Sequence, residues 1–194
     1  MRIIDVSSYQ GAIDWNKVSN VPDLAGAIIR TTTKNGKLDT AAKANYEGIV
    51  KNFNAHFNGV AGYKFSYVRS YYDARIEAFD TINTLNEAGI KLDMLYLDLE
   101  GFDNRDYTTR EADSVILGYL DQCALMGVKL GLYFNYNYAK HIVNDRWKVL
   151  PLWIARYNKT LGDVSPWKPH LWQYTSTGRI DGINGNVDIS EVLQ

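Results

Sequence analysis

Cysteine is almost missing from this chain, with one residue, Cys123, in 194. A lone cysteine forms no internal disulfide, and its place on the apolar face of an expected helix reads as a buried, inert thiol rather than a nucleophile. Net charge is nearly absent as well, at −1, with lysines, arginines and acids scattered along the length. That argues against a nucleic-acid footprint or a polybasic membrane surface. No window approaches the roughly 20 apolar residues of a spanning helix, so no membrane insertion is expected. The N-terminus, MRIIDVSSYQG, has no long apolar region of the kind a cleavable export signal carries. Repeats, low-complexity segments and linkers are missing too. What remains is a 46% hydrophobic chain, long enough to bury a full core without disulfides or metal. A single domain over residues 1–194 is expected.

Aromatic residues are plentiful, with 14 Tyr and 5 Trp. Their polar tips do not all fit a dry core, which points to a surface groove rich in rings. Short apolar runs alternate with helical patterns. Strands are expected at Ile3–Val6, Ala27–Thr31, Val60–Phe65, Met94–Glu100, Lys129–Phe134, Leu152–Ala155 and His170–Tyr174, with Asp188 in a last extended piece. Helices are expected over Ala41–Phe53, despite Gly48, and over Tyr72–Leu85, where Tyr72, Ile76, Phe79, Ile82 and Leu85 share one face. A third opens at the capping box of Thr108 and Glu111, runs through Ala112, Val115, Ile116, Tyr119, Leu120 and Cys123, and stops at Gly127. Strand–helix alternation implies right-handed crossovers and a parallel sheet. From Pro151 onward there is little room for helices. The expected fold is therefore α/β: an incomplete, TIM-like barrel whose last strands form a tighter β-region.

The stretch MLYLDLEG, Met94 to Gly101, carries the chemistry. Residues two apart on a strand share a face about 6.6 Å apart, so Asp98 and Glu100 repel each other at an otherwise apolar strand end. Polar residues end the other expected strands: Asp5, Arg30, Tyr63 with Lys64, Tyr133 with Asn135, Arg156 and Gln173, with Asp188 in the last piece. A parallel barrel gathers such ends at one rim. Leu95, Leu97 and Leu99 then face the helices, while Tyr96, Asp98 and Glu100 face inward, beside Asp5 and Asp188. Clustered carboxylates raise at least one pKa, and a carboxyl still protonated near neutral pH is able to donate a proton to a leaving oxygen. Glycoside hydrolysis needs such a donor and negative charge nearby. Solvated surface acids and a divalent-metal site are the plainer alternatives for a D-x-E at a strand end. His56, His141 and His170 lack ligand spacing and read as structural or surface histidines. Asp14 and Glu111 read as helix-start acids, and Asp103 and Asp106 as loop acids.

The sequence resembles the glycoside hydrolase family 25 lysozymes, muramidases found in many phage endolysins and some secreted enzymes. The resemblance covers nearly the whole chain: IDVSSYQGAIDW (Ile4–Trp15), AGYKFSY (Ala61–Tyr67), LDLE (Leu97–Glu100), GLYFNY (Gly131–Tyr136), PLWIARY (Pro151–Tyr157) and WQYTSTGRIDGINGNVDIS (Trp172–Ser190). It implies a barrel of five β/α units followed by three strands, (β/α)5(β)3. It implies cleavage of the β-1,4 bond between N-acetylmuramic acid and N-acetylglucosamine in bacterial peptidoglycan. Glu100 would be the proton donor, Asp98 would support the reacting acetamido group or the anomeric charge, and Asp5 and Asp188 would complete the acidic pocket. Tyr63, Tyr133, Trp153, Arg30 and Gln173 are the expected substrate contacts. No cofactor or metal is expected, and the isolated domain is expected to be a monomer.

Two motifs depart from the family pattern. RTTTKNG, from Arg30 to Gly36, stands where the family has Lys-Ala-Thr-Glu-Gly, so Thr33 occupies the place of a glutamate. Lys64 stands where the family has His. Neither touches the four acids. No separate wall-binding domain is visible up to Gln194. The chain is then either an excised catalytic domain or an enzyme that works without one. The missing export signal and single cysteine favour, over a secreted enzyme, a phage lysin made in a host cytoplasm and released at lysis onto the cell wall. The rival reading is a non-catalytic glycan-binding barrel that keeps the aromatic groove.

Overall fold

The computed structural model describes residues 1–53, 59–100, 106–165 and 167–193. His56, Asp103, Gly101 and Gln194, named above, lie outside the described residues. The strands are β1 (Arg2–Val6), β2 (Leu24–Arg30), β3 (Ala61–Phe65), β4 (Met94–Asp98), β5 (Lys129–Asn135), β6 (Leu152–Ala155), β7 (Leu171–Gly178) and β8 (Val187–Val192). The helices are α1 (Trp15–Ser19), α2 (Ala42–Asn52), α3 (Tyr71–Glu87), α4 (Thr109–Leu125) and α5 (Tyr136–Ile142). None of them is long and apolar enough to cross a membrane.

The expectation of an incomplete, TIM-like (β/α)5(β)3 barrel is corrected. The sheet closes completely in the order β1 to β8. Strands β1 to β7 are parallel, and β8 runs antiparallel to both β7 and β1. The result is a closed, mixed eight-stranded barrel with five helices among the described residues. Two open edges would have left rows of unpaired N–H and C=O groups; β8 satisfies both. Regular alternation fails as well. Helix α1 has 5 residues and α5 has 7, and each shares its connection with a 3-10 turn, Ser8–Gln10 and Asp145–Val149. Among the described residues only α2, α3 and α4 are full-length crossover helices.

Alternation along the strands divides the core. Ile3, Ile28, Met94, Tyr96, Tyr133, Trp153 and Leu171 fill the barrel interior. Leu95, Leu97 and Leu99 pack outward against α3 and α4, as their spacing requires. A second outer layer joins α1 and α2 to the outward faces of β1 and β2. Gly48 interrupts no helix: a Cβ there would overlap the Trp15 ring, which lies against α2. The capping box of α4 forms as read, with Glu111 N–H donating to Thr108 Oγ1 at 3.2 Å and Thr108 N–H to Glu111 Oε2 at 2.9 Å. Asp14 caps α1 by accepting from Lys17 N–H at 3.2 Å. Cys123 is buried, and burial pushes its thiol up to about 12.

The expected apolar face of α3 is corrected in its first half. Ile82 and Leu85 are buried, but Tyr72, Ile76 and Phe79 are exposed, Tyr72 at 74%. The helix is buried instead along Ala74, Ala78 and Thr81. Its small residues let α4 approach so closely that a Cβ on Gly118 would overlap the Tyr71 carbonyl and lie 2.8 Å from Ala74 Cβ. Close approach of the two backbones outweighs the pull of the larger side chains. Gly118→Ala is accordingly expected to cost about 1–3 kcal/mol, read as a lower denaturant midpoint at an unchanged m-value.

Candidate active site

Closure by β8 sets Asp188 directly opposite Asp5 in the β1–β8 ladder. The side chain that joins them is Gln173 of β7. Its Nε2 donates to Asp5 Oδ2 at 2.9 Å and to Asp188 Oδ2 at 3.3 Å. Its Oε1 accepts from Tyr133 Oη at 2.8 Å and from Tyr157 Oη at 2.9 Å. Every bonding position of the amide is used, so a buried primary amide fixes two acids and two phenols in one arrangement.

Asp98 ends β4 on the inward face, and Glu100 lies two residues on, just past the strand and half-buried. Asp98 is buried, and among the described residues its Oδ1 has no hydrogen-bond partner. Burial first, then the neighbouring Glu100 and Asp5 charges, push the Asp98 carboxyl well above the ordinary range. Burial and then Asp188 do the same to Asp5, while the Gln173 amide pulls the other way. Burial also raises Glu100 and Asp188. Coupled carboxyls of this kind titrate as a set and hold protons into a range where isolated acids are ionised. Among the described residues, no group of three or more His, Cys, Asp or Glu side chains is arranged to hold a metal ion.

The remaining expected contacts take different places. Trp153, 1% exposed, lies beneath the acids, its Nε1 donating to Ser190 Oγ at 2.9 Å. The rings of Tyr133, Tyr96 and Tyr63 surround it edge-on at 4.5, 5.4 and 6.2 Å between centroids. Gly131 leaves room for the Tyr96 ring, since a Cβ there would lie 2.5 Å from it. The pocket thus has an aromatic floor. Arg30 ends β2 on the inward face but is occupied by the rim: its Nε donates to Asp39 Oδ2 at 2.7 Å and a terminal nitrogen to Ser8 Oγ at 2.8 Å. Lys64 turns out of the barrel. It is buried, donates to the Thr33 carbonyl at 3.0 Å, and lies 3.7 Å from Glu77 of α3. Glu77 also accepts from Ser66 Oγ at 2.7 Å and Tyr119 Oη at 2.6 Å. His170 Nδ1 accepts from Leu152 N–H at 3.4 Å, a structural role.

Three side chains of the site were not singled out from the sequence. Tyr157 follows β6 by two residues, a spacing that puts it at the rim. Ser190 shares the inward face of β8 with Asp188. Asp39 precedes α2 and reads as a cap, which conceals its ion pair with Arg30.

The chain belongs to the glycosyl hydrolases family 25, whose sequence model matches residues 4–183. It is similar to the autolytic lysozyme of Clostridium acetobutylicum, with 28% identity over 98% of this chain and 55% of that protein. Among solved structures it resembles the modular autolysin LytC of Streptococcus pneumoniae, with a TM-score of 0.84 and 25% identity over 97% of this chain and 46% of LytC. LytC has also been solved in complex with a synthetic peptidoglycan ligand. The CTP1L endolysin is similar too, at a TM-score of 0.80 and 27% identity over 99% of this chain and 66% of that one. The chain spans about half the length of the first two relatives.

Burial of Asp98 has a measurable consequence for stability. Its carboxyl stays protonated to higher pH folded than unfolded, so the folded form binds more protons and stability falls as pH climbs from the unfolded pKa through the folded one. Asp98→Asn removes that penalty. Its melting temperature should exceed the parent's at neutral pH, with the difference disappearing below about pH 3, where the parent's Asp98 is protonated both folded and unfolded. Thermal melts across pH read both limits.

Proposed function

We propose that this chain is a muramidase, cleaving the β-1,4 bond between N-acetylmuramic acid and N-acetylglucosamine in bacterial peptidoglycan. The observation that carries the reading is the set of four carboxyls, Asp5, Asp98, Glu100 and Asp188, gathered at the mouth of a barrel floored with aromatic rings. Family membership and the relatives named lysozyme and autolysin support the same chemistry. The barrel serves as one catalytic domain acting on the cell wall, in the manner of an endolysin.

Glu100 is the general acid. It gives its proton to the bridging oxygen as the bond from that oxygen to the anomeric carbon breaks, which releases the N-acetylglucosamine hydroxyl. Water then supplies a hydroxyl to the anomeric carbon, and its proton returns to Glu100. Burial raises both carboxyls, and the Glu100 charge raises Asp98 further, so the pair shares protons rather than ionising together. A sugar seated over the mouth removes the remaining water from Glu100, while positive charge growing at the anomeric carbon favours ionised Asp98. Both changes move the proton toward the residue that donates it. Asp5 and Asp188, bridged by Gln173, complete the acidic side of the pocket. Tyr63, Tyr133 and Tyr157 border the sugar, and Trp153 and Arg30 hold floor and rim.

Glu100→Gln keeps the shape but has no proton to give, and turnover should fall by about 10²–10⁴-fold with glycan binding retained. Release of reducing ends from purified peptidoglycan measures it, and N-acetylmuramic acid should be the new reducing end. Release of N-acetylglucosamine ends would overturn the bond assignment, and activity near the parent's would remove Glu100 from the acid role.

Asp98→Asn tests the coupling. With the neighbouring carboxyl gone, Glu100 loses its proton earlier, so the alkaline limb of the pH–rate profile should move to lower pH as turnover drops. An unmoved limb would mean that the two groups titrate independently.

A further inference from the structure

We propose that Tyr9 is a sugar-stacking platform that holds the glycan chain beyond the acid pocket; this rests on the glycan-cleaving reading above. Tyr9 is 85% exposed. A single exposed ring is ordinary on a protein surface, but the turn that carries this one is held on several sides. It sits in the 3-10 turn Ser8–Gln10 that follows β1. Ser7 Oγ accepts from its backbone N–H at 3.2 Å, and Gln10 Oε1 accepts from Ser7 N–H at 2.8 Å. Gln10 Nε2 reaches across to the Asn186 carbonyl at 3.2 Å, which ties the turn to the entry of β8. The Arg30 guanidinium carbon lies 4.8 Å from the ring centroid, and Asp39 and Ser8 fix that guanidinium in turn. One side of the ring is therefore backed by a cation, and the rest is open to water.

A flat apolar surface already fixed in place binds at little cost in ordering, and it suits the C–H face of a sugar. Its position favours a saccharide over any other occupant. Arg30 ends β2 and Tyr157 follows β6, four strands away around a closed barrel of eight. The two rings thus stand on opposite walls of the mouth, and the joined acids lie between them. A glycan strand crossing the mouth meets Tyr157 on one wall and Tyr9 on the other. The unit at Tyr9 is remote from the bond being cut, so the platform strengthens binding of long strands and leaves the chemical step alone.

The test uses peptide-free glycan strands, short and long, prepared from peptidoglycan. Tyr9→Ala should raise KM for long strands about tenfold, equivalent to about 1.4 kcal/mol, with kcat unchanged and short strands unaffected. Tyr9→Phe should keep the parent's values. Tyr72→Ala, which removes an exposed tyrosine from α3, should alter neither constant. A change in KM of less than about twofold on long strands, or Tyr9→Phe as damaging as Tyr9→Ala, would overturn the proposal. Calorimetric titration of long strands into Glu100→Gln protein, with and without Tyr9→Ala, reads the platform with no cleavage. Binding about tenfold weaker supports it, and equal binding overturns it. Absence of cleavage by the parent would count against the hydrolase reading alone.

Discussion

Carboxyl groups gathered over a dry aromatic floor cannot all be ionised, and that constraint organises the mouth of this barrel. Removing a carboxylate from water is costly without compensating donors. Asp5 and Asp188 receive a donor from Gln173; Asp98 Oδ1 receives none among the described residues. Burial and mutual repulsion push these carboxyls upward, the direction that acid chemistry near neutral pH requires. A cation placed among the acids would have relaxed the repulsion and ionised them. The basic residues at the ends of β2 and β3 are instead engaged elsewhere, Arg30 with Asp39 and Lys64 with Glu77 outside the barrel.

The supporting structure keeps the acids in place without neutralising them. Trp153 fills the space under the pocket and is anchored by Ser190. The edge-on rings about it leave no slack for the floor to sink. Gln173, saturated by two phenols and two carboxylates, holds together groups that would otherwise move apart. At the rim, Arg30 joins the turn after β1 to the loop before α2. These features make the mouth rigid before any sugar arrives.

Much of this was legible in the residues. Alternation in LYLDLE sorted leucines outward from Tyr96 and Asp98, and the ends of expected strands named the acids and Gln173 in advance. Closure was not legible. A helix-poor C-terminal third reads as extended, but nothing local to VDISEV says that it runs backward between the first and seventh strands. The face of α3 misled for a related reason. Hydrophobic spacing favours burying Tyr72, Ile76 and Phe79, whereas the tight contact of Ala74 and Ala78 with Gly118 is a property of two segments taken together. Arg30 and Lys64 were legible as charges but not as to direction, because their partners Asp39 and Glu77 lie in other elements.

The hydrogen bond from Gln173 to Asp5 spans 168 positions of sequence, and this bears on when the site comes into being. A chain growing from its N-terminus completes the paired acids of β4 while the strands carrying Gln173 and Asp188 have yet to be made. Until β8 arrives, β1 has a bare edge and Asp5 has neither neighbour. Contacts of such long range also form late, since the loop they close must first be paid for in entropy. Nascent and prematurely terminated chains therefore carry the acid pair without an assembled pocket. The last strand of the barrel to leave the ribosome is the one that completes the site.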